Sequence, residues 1–63
     1  MPKLPIRQNA FVQEYLVDLN ATQAAIRAGY SERTARSQGH RLLTNVDISD
    51  ALQDAYQARM ERV

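Results

Sequence analysis

The sequence predicts an all-α protein with a three-helix core that contains a helix-turn-helix, followed by a fourth, C-terminal helix. Two observations lead to this fold class. The 63-residue chain has only two glycines and two prolines, and its apolar residues recur at the three- and four-residue spacing of a helix. The segment from Asn20 to Arg41 also combines an N-cap, a run of alanines, a glycine and a second capping residue, which is typical of two helices joined by a tight turn.

The first helix is expected to begin near Pro5 or Ile6, because proline suits the first turn of a helix. Arg7 falls on its polar side, and the helix should end at about Leu19. Its apolar residues form one stripe at helical spacing, which we interpret as core: Phe11, Val12, Tyr15, Leu16 and Leu19.

The second helix is predicted to extend from Ala21 to Ala28. Asn20 can cap its first turn, and Gln23 stands where it can reach back to Asn20 in a capping box. Gly29 can end the helix in the left-handed conformation that disfavours a Cβ atom. Ala25 is small enough for the following helix to cross closely.

The third helix is predicted from about Ser31, as N-cap, to Leu43. At about 100° per residue, one side carries small and apolar residues, namely Ala35, Gly39, Leu42 and Leu43. The opposite side carries Arg33, Ser37, His40 and Thr44, with Arg36 on one edge and Thr34 and Arg41 on the other. A small apolar face inward and forked donors outward are what a DNA recognition helix needs, since arginine can bond guanine bidentately and serine or threonine can meet several base edges.

Asn45 is expected to cap the fourth helix, over about residues 46–63. Its apolar stripe is longer than a three-helix core requires, and consists of Ile48, Leu52, Ala55, Tyr56, Met60 and Val63. We therefore expect Tyr56 to Val63 to lead into another domain or to pack on a neighbouring subunit; the alternative is a frayed terminal helix.

Charge is distributed unevenly although the net charge is only +1. From Arg27 to Arg41 there are four arginines and one glutamate, a net of +3, whereas Leu42 to Val63 has two arginines and four acidic residues, a net of −2. Positive charge is thus concentrated on the helix-turn-helix, as expected for a DNA-binding surface. A basic face that is merely solvated is the alternative.

The composition argues against an enzyme or a metalloprotein. There is no cysteine and only one histidine, so we expect neither disulfides, nor a metal site, nor a cofactor. No nucleophile has a neighbouring base. No apolar run approaches the roughly 20 residues that span a bilayer.

A resemblance rests on the stretches from Phe11 to Ser31, from Thr34 to Gly39 and from Arg41 to Asn45, about half of the chain. Together they resemble the N-terminal domain of a bacteriophage terminase small subunit, although Pro5-Ile6 replaces the usual Ser or Thr cap of the first helix. The resemblance implies a single helix-turn-helix DNA-binding domain over 1–63, with a core at about 5–45 and a C-terminal helix leading toward an absent oligomerisation region.

The resemblance also implies a role in packaging. Such proteins recognise the packaging site, recruit and regulate the ATPase-containing large subunit, and assemble into rings in the cytoplasm of the infected bacterium. The expected partners are therefore double-stranded DNA, the terminase large subunit and further copies of the full-length protein. The alternatives are a helix-turn-helix transcription regulator and a helical protein-interaction module.

The predicted DNA contacts combine this resemblance with the residue pattern. Arg33, Arg36 and Ser37 are expected to probe base edges, while Arg27, Arg41 and the start of the second helix hold phosphates. The complete predicted set is Thr22, Gln23, Arg27, Arg33, Thr34, Arg36, Ser37, His40 and Arg41.

Overall fold

The computed structural model describes residues 4–61, with side chains to residue 58, and this part of the chain is a bundle of four helices without strands. None of these helices is long and apolar enough to cross a membrane. The predicted all-α fold is confirmed, with helices α1 (Ile6–Asp18), α2 (Ala21–Arg27), α3 (Ala35–Thr44) and α4 (Val46–Glu61).

Helix α1 starts directly after Pro5, as predicted, and the Asn9 N–H donates to the Pro5 carbonyl at 2.9 Å. Of the predicted stripe, Phe11, Val12 and Leu16 are buried, and Tyr15 is half-buried and stacks on Phe11 with ring centroids 5.8 Å apart. The assignment of Leu19 to the core was wrong. Leu19 ends the helix in the left-handed conformation, with φ 58°, and is 55% exposed because the chain turns before the helical stripe would reach it.

Helix α2 is held at both ends by hydrogen bonds. At its start, the Asn20 side chain accepts from the Gln23 N–H at 3.1 Å, which confirms the N-cap. In the predicted capping box, the Gln23 side chain would accept a hydrogen bond from the Asn20 N–H. That N–H instead donates to the carboxylate of Asp18 at 3.1 Å. The helix ends at Arg27, one residue earlier than predicted.

The end of α2 is a Schellman motif centred on Gly29, which has the predicted positive φ, 105°. The Gly29 N–H donates to the Ile26 carbonyl at 3.1 Å, and the Tyr30 N–H donates to the Ala25 carbonyl at 2.9 Å. These two bonds satisfy carbonyls that the end of a helix leaves without partners. They also fix the direction in which the chain leaves α2.

The predicted start of α3 at Ser31 was wrong, since residues 31–34 form a separate turn. The Ser31 side chain accepts from the Arg33 N–H at 3.2 Å, and the Ser31 carbonyl accepts from the Thr34 N–H at 3.1 Å. The hydroxyl thus caps a single turn and not a helix. Thr34 is the N-cap of α3, without a side-chain capping bond, and residues 28–34 join the two helices.

The crossing of α2 and α3 depends on small residues. Ala25 and Ala35 are completely buried, as predicted, and so is Ala24. Gly39 of α3 lies so close to Ala21 of α2 that an added Cβ would stand 2.7 Å from the Ala21 carbonyl oxygen. The crossing therefore places the N-terminal turn of α2 beside the middle of α3.

Helix α4 packs against both α1 and α3. Asn45 caps it, as predicted, because its side chain accepts from the N–H groups of Asp47 at 2.9 Å and Ile48 at 3.3 Å. Ile48 and Leu52 are buried, Ala55 is half-buried, and Tyr56 is 37% exposed. Met60 and Val63, the last residues of the predicted stripe, lie outside the described side chains.

Candidate nucleic-acid interface

Helix α3 presents a polar face to solvent while its small and apolar residues face the bundle. Ala35, Gly39 and Leu42 are buried and Leu43 is half-buried, which confirms the predicted inner face. The other side of the same helix is exposed along its whole length, and consists of Arg36, Ser37, His40, Arg41 and Thr44. The hydroxyl of Thr44 turns back to the Arg41 carbonyl at 2.7 Å. The four remaining side chains on this face have no hydrogen-bond or ion-pair partner among the described residues.

Arg33 and Thr34 do not lie on the face of α3, where the sequence placed them. Both precede the helix, in the turn that Ser31 caps, and both are exposed. The correction has a simple physical cause, since the Ser31 carbonyl bonds the Thr34 N–H and closes a turn before helical bonding begins. These two residues therefore stand at the N-terminal end of α3, next to Arg36, and extend the polar surface along the helix axis.

The first turn of α2 packs against the inner face of α3 through the contact of Ala21 with Gly39. Gln23 is exposed and Thr22 is half-buried. The Gln23 N–H is already bonded to Asn20, so the remaining early N–H groups and the two side chains are what this turn offers to a ligand. Thr22 and Gln23 therefore lie on the turn of α2 that packs against the middle of α3.

Arg27 is engaged within the protein. Its Nε lies 2.8 Å from a carboxylate oxygen of Glu14, and its Nη2 lies 3.1 Å from Asp18 and 3.0 Å from the Glu14 carbonyl. Hydrogen bonds from Arg27 and from the Asn20 N–H lower the pKa of Asp18, and the bonds to Asp18 and Glu14 raise the pKa of Arg27. Arg27 joins α1 to α2, and two carboxylates compensate its charge. We therefore leave it out of the proposed DNA contacts.

The remaining charges are segregated. Arg33, Arg36 and Arg41 are exposed and make no ion pair within the described chain, and Glu32 is the acidic residue among them. Helix α4 instead exposes carboxylates at three- and four-residue spacing, on Asp47, Asp50 and Asp54. The exposed arginines thus lie on and before α3, whereas the exposed carboxylates lie on α4.

Arg7 is a candidate that the sequence pattern did not identify. Its guanidinium carbon lies 5.3 Å from the ring centroid of Tyr30, in the turn after α2. The helical pattern contained a partial signal, because Arg7, Glu14 and Asp18 fall on the same side of α1 at seven- and four-residue spacing. That side faces α2 and its turn, whereas the pattern alone indicated solvent.

Two kinds of polar site are absent from the described part of the chain. No group of three or more His, Cys, Asp or Glu residues there could hold a metal ion. No buried side-chain polar atom lacks a hydrogen-bond partner in this part of the chain.

Comparison with known proteins gives a consistent family. The family described as terminase small subunit matches residues 4–63. The chain is 40% identical over 58 residues to the terminase small subunit of Staphylococcus phage 80alpha, covering 90% of this chain and 37% of that protein. It is 51% identical over 39 residues to that of Bacillus phage SF6, covering 60% of this chain and 27% of the relative.

A further relative is the PBSX phage terminase small subunit of Bacillus subtilis strain 168, which is 46% identical over 43 residues, or 68% of this chain and 16% of that protein. The chain therefore spans well under half the length of these relatives. No solved structure shows significant similarity to it.

Proposed function

The chain belongs to the terminase small subunit family, and we propose that it is the part of such a protein that binds double-stranded DNA at the packaging site of a phage genome. The observation that carries this proposal is the exposed face of α3. It presents arginine, serine and histidine side chains without internal partners, next to the first turn of α2. These groups are available to a ligand, and the excess of arginine selects an anionic one.

The dimensions of α3 suit the major groove. A helix of ten residues is about 15 Å long, and the major groove of B-DNA, about 12 Å wide, admits one α-helix. Small residues on the inner face keep α3 close to the bundle, so its outer side chains project from a fixed base. We propose that the N-terminal half of α3 enters the groove first, because Arg33 and Thr34 extend the polar surface in that direction.

The proposed contacts divide into two kinds. Arg36 and Ser37, with Arg33 before the helix, read base edges, since arginine bonds guanine O6 and N7 bidentately. Arg41 and the first turn of α2, with Thr22 and Gln23, hold the backbone, since phosphate contacts fix the register without reading sequence. His40 lies between these groups on the same exposed face.

In a longer protein this domain would act with others. We propose that copies of the complete subunit form a ring, that it recruits and regulates the terminase large subunit in the cytoplasm of the infected bacterium, and that the domain performs binding and no chemical step. A single domain makes few contacts, so we expect weak binding. Several domains on one DNA raise the overall affinity through effective concentration.

The test is an NMR titration of the 63-residue chain with duplexes tiled over the packaging region, and with a scrambled duplex, at low and high salt. Expected are shifts of amide signals on α3, the 31–34 turn and the start of α2, larger for a packaging-site duplex. Shifts confined to α4, or no salt-sensitive binding, would contradict the proposal and favour a protein-interaction module. Equal shifts with every duplex would support DNA binding but contradict the proposal that this domain recognises the packaging site.

A further inference from the structure

We propose that Arg7, held by Tyr30, forms a second DNA-contacting site outside the α3 surface and binds a backbone phosphate. The inference rests on the proposed DNA binding and extends its footprint to α1. The ligand is a phosphodiester of the duplex, contacted without regard to base sequence. Arg7 would then be a positioning residue that fixes how the domain sits on the backbone.

The geometry leaves the donors of Arg7 available. Its guanidinium carbon stands 5.3 Å from the Tyr30 ring centroid, and a Cβ atom built on Gly29 would stand 3.8 Å from its Nε. The guanidinium therefore lies over the Schellman turn. Stacking on an aromatic ring occupies the face of a guanidinium and leaves its N–H groups, which lie in the plane, free to donate. Within the described residues, the Arg7 side chain has no hydrogen bond or ion pair.

Tyr30 is a fixed support for this stacking. Its N–H donates to the Ala25 carbonyl at 2.9 Å, and its side chain is half-buried against the core. An arginine in the first turn of α1 is disfavoured by the dipole of its own helix, but Arg7 lies over the C-terminal end of α2, where the dipole favours a cation. The side chain is thus oriented by the fold before any ligand arrives.

The contrast with Arg27 indicates the role of Arg7. Both arginines contact residues across the junction of α1 with α2 and its turn, but Arg27 meets two carboxylates, whereas Arg7 meets an aromatic ring. If Arg7 only fastened α1 to the turn, it could pair with a carboxylate, as Arg27 pairs with Glu14 and Asp18. A positioned guanidinium with free donors in one plane matches the geometry of a phosphate, which takes two parallel N–H bonds.

The place of Arg7 links it to the α3 surface. Tyr30 immediately precedes the turn formed by residues 31–34, and a turn of this kind keeps its first and last Cα atoms within about 7 Å. Arg33 is exposed in that turn and Arg36 follows in the first turn of α3. Exposed Glu32 is the acidic residue of this segment. Tyr30, which supports Arg7, is therefore separated from Arg33 by only two residues of this short segment, and we propose that one duplex reaches both arginines.

The experiment compares the 63-residue chain with Arg7→Gln, Tyr30→Leu, the double variant and Tyr30→Phe, by fluorescence anisotropy with packaging-site and scrambled duplexes over a salt series. Arg7→Gln should weaken binding to both duplexes by a similar factor, roughly three- to tenfold at low salt, and reduce the slope of log K against log salt by about 0.9. Tyr30→Leu should weaken binding less. Arg7→Gln should have a smaller effect in the Tyr30→Leu background, and Tyr30→Phe should bind like the parent.

Arg59→Gln is the matched control, since it removes the same charge from the distal part of α4, and it should leave the salt slope unchanged. Thermal unfolding by circular dichroism shows that each variant is folded at the titration temperature. If Arg7→Gln lowers the melting temperature while affinity and slope match the parent, Arg7 is a packing contact only and the inference is wrong. If the parent itself does not bind DNA, the proposed function fails and this inference fails with it.

Discussion

Gly39 of α3 lies directly on the backbone of Ala21 in α2, and a Cβ atom added to Gly39 would stand 2.7 Å from the Ala21 carbonyl oxygen. Gly39→Ala should therefore destabilise the protein by about 1–3 kcal/mol, although alanine is the better helix former by about 1 kcal/mol. Urea unfolding followed by circular dichroism measures the change. The control is Ser37→Ala, on the exposed side of the same helix, which should be neutral or slightly stabilising. A Gly39→Ala variant at least as stable as the parent would show that separating the two helices costs no more than the gain in helix propensity, and would contradict the prediction.

Arg36 is the exposed arginine in the first turn of α3, without an internal partner. Arg36→Ala should leave the free energy of unfolding nearly unchanged and weaken DNA binding by about 1–3 kcal/mol if the side chain reads a base. Titration with packaging-site and scrambled duplexes separates the two kinds of contact. Loss confined to the packaging-site duplex indicates base readout, whereas equal loss with a reduced salt slope indicates a phosphate. Binding curves identical to those of the parent would remove Arg36 from the interface.

The ion pair of Asp18 with Arg27 predicts a pH dependence of stability. The pKa of Asp18 is lowered in the folded protein, chiefly by its hydrogen bond with Arg27. Its contribution to stability is therefore complete above the pKa of an unfolded aspartate, about 4, and is lost as the pH falls through the lower folded value. Asp18→Asn should melt below the parent at pH 7, and the two melting temperatures should converge below about pH 4.

The matched control for this pair is Asp50→Asn, because Asp50 is exposed on α4 and makes no ion pair with a described residue. It should change the melting temperature little between pH 7 and the acid range. A difference between parent and Asp18→Asn that persists unchanged below about pH 3 would contradict the assigned role of the carboxylate charge.

Leu19 adopts a left-handed conformation, with φ 58°, whereas Val17 lies in the regular part of α1. Replacing Leu19 by Gly or by Ala removes the same apolar contacts. The difference in unfolding free energy between the two variants therefore reports the cost of the left-handed backbone conformation. Glycine should be more stable than alanine at position 19 by up to about 1 kcal/mol. At position 17 the order should reverse, by about 1 kcal/mol. The same order at both positions would show that the left-handed turn is not maintained in solution.

The parts of the fold that local sequence determines were predicted correctly. Asn20 and Asn45 bond the first turns of the helices they precede, and Gly29 has a positive φ. Each of these features depends on residues no more than four positions apart. Ala25 and Ala35 were also placed correctly at the buried crossing of α2 and α3, because each lies near the predicted turn and is small enough for close packing.

The errors arise where short-range preferences leave two outcomes open. Ser31 can cap a helix or a single turn, and its neighbours are compatible with both, so the N-cap of α3 was placed three residues too early. The helical spacing of the apolar residues assigned Leu19 to the core. Spacing alone does not show that the helix ends at Asp18, the residue before it.

The site was less predictable than the fold because its electrostatics depend on tertiary contacts. Arg27 is paired with residues thirteen and nine positions away. Arg7, in α1, stacks on Tyr30, in the turn after α2. In the sequence alone, both arginines are simply positive charges of equal size. Only the packing of α1 against α2 distinguishes a neutralised arginine from one whose donors remain free.

The carboxylates along α4, described above on Asp47, Asp50 and Asp54, have a consequence for the encounter with DNA. The arginines of and before α3 and these carboxylates lie on different segments, so charges of opposite sign are separated within one small domain. If the domain binds DNA as proposed, repulsion between these carboxylates and the duplex opposes orientations in which α4 approaches first. Neutralising the three carboxylates would then weaken that discrimination between orientations, while the higher net positive charge would strengthen nonspecific attraction to a duplex at low ionic strength.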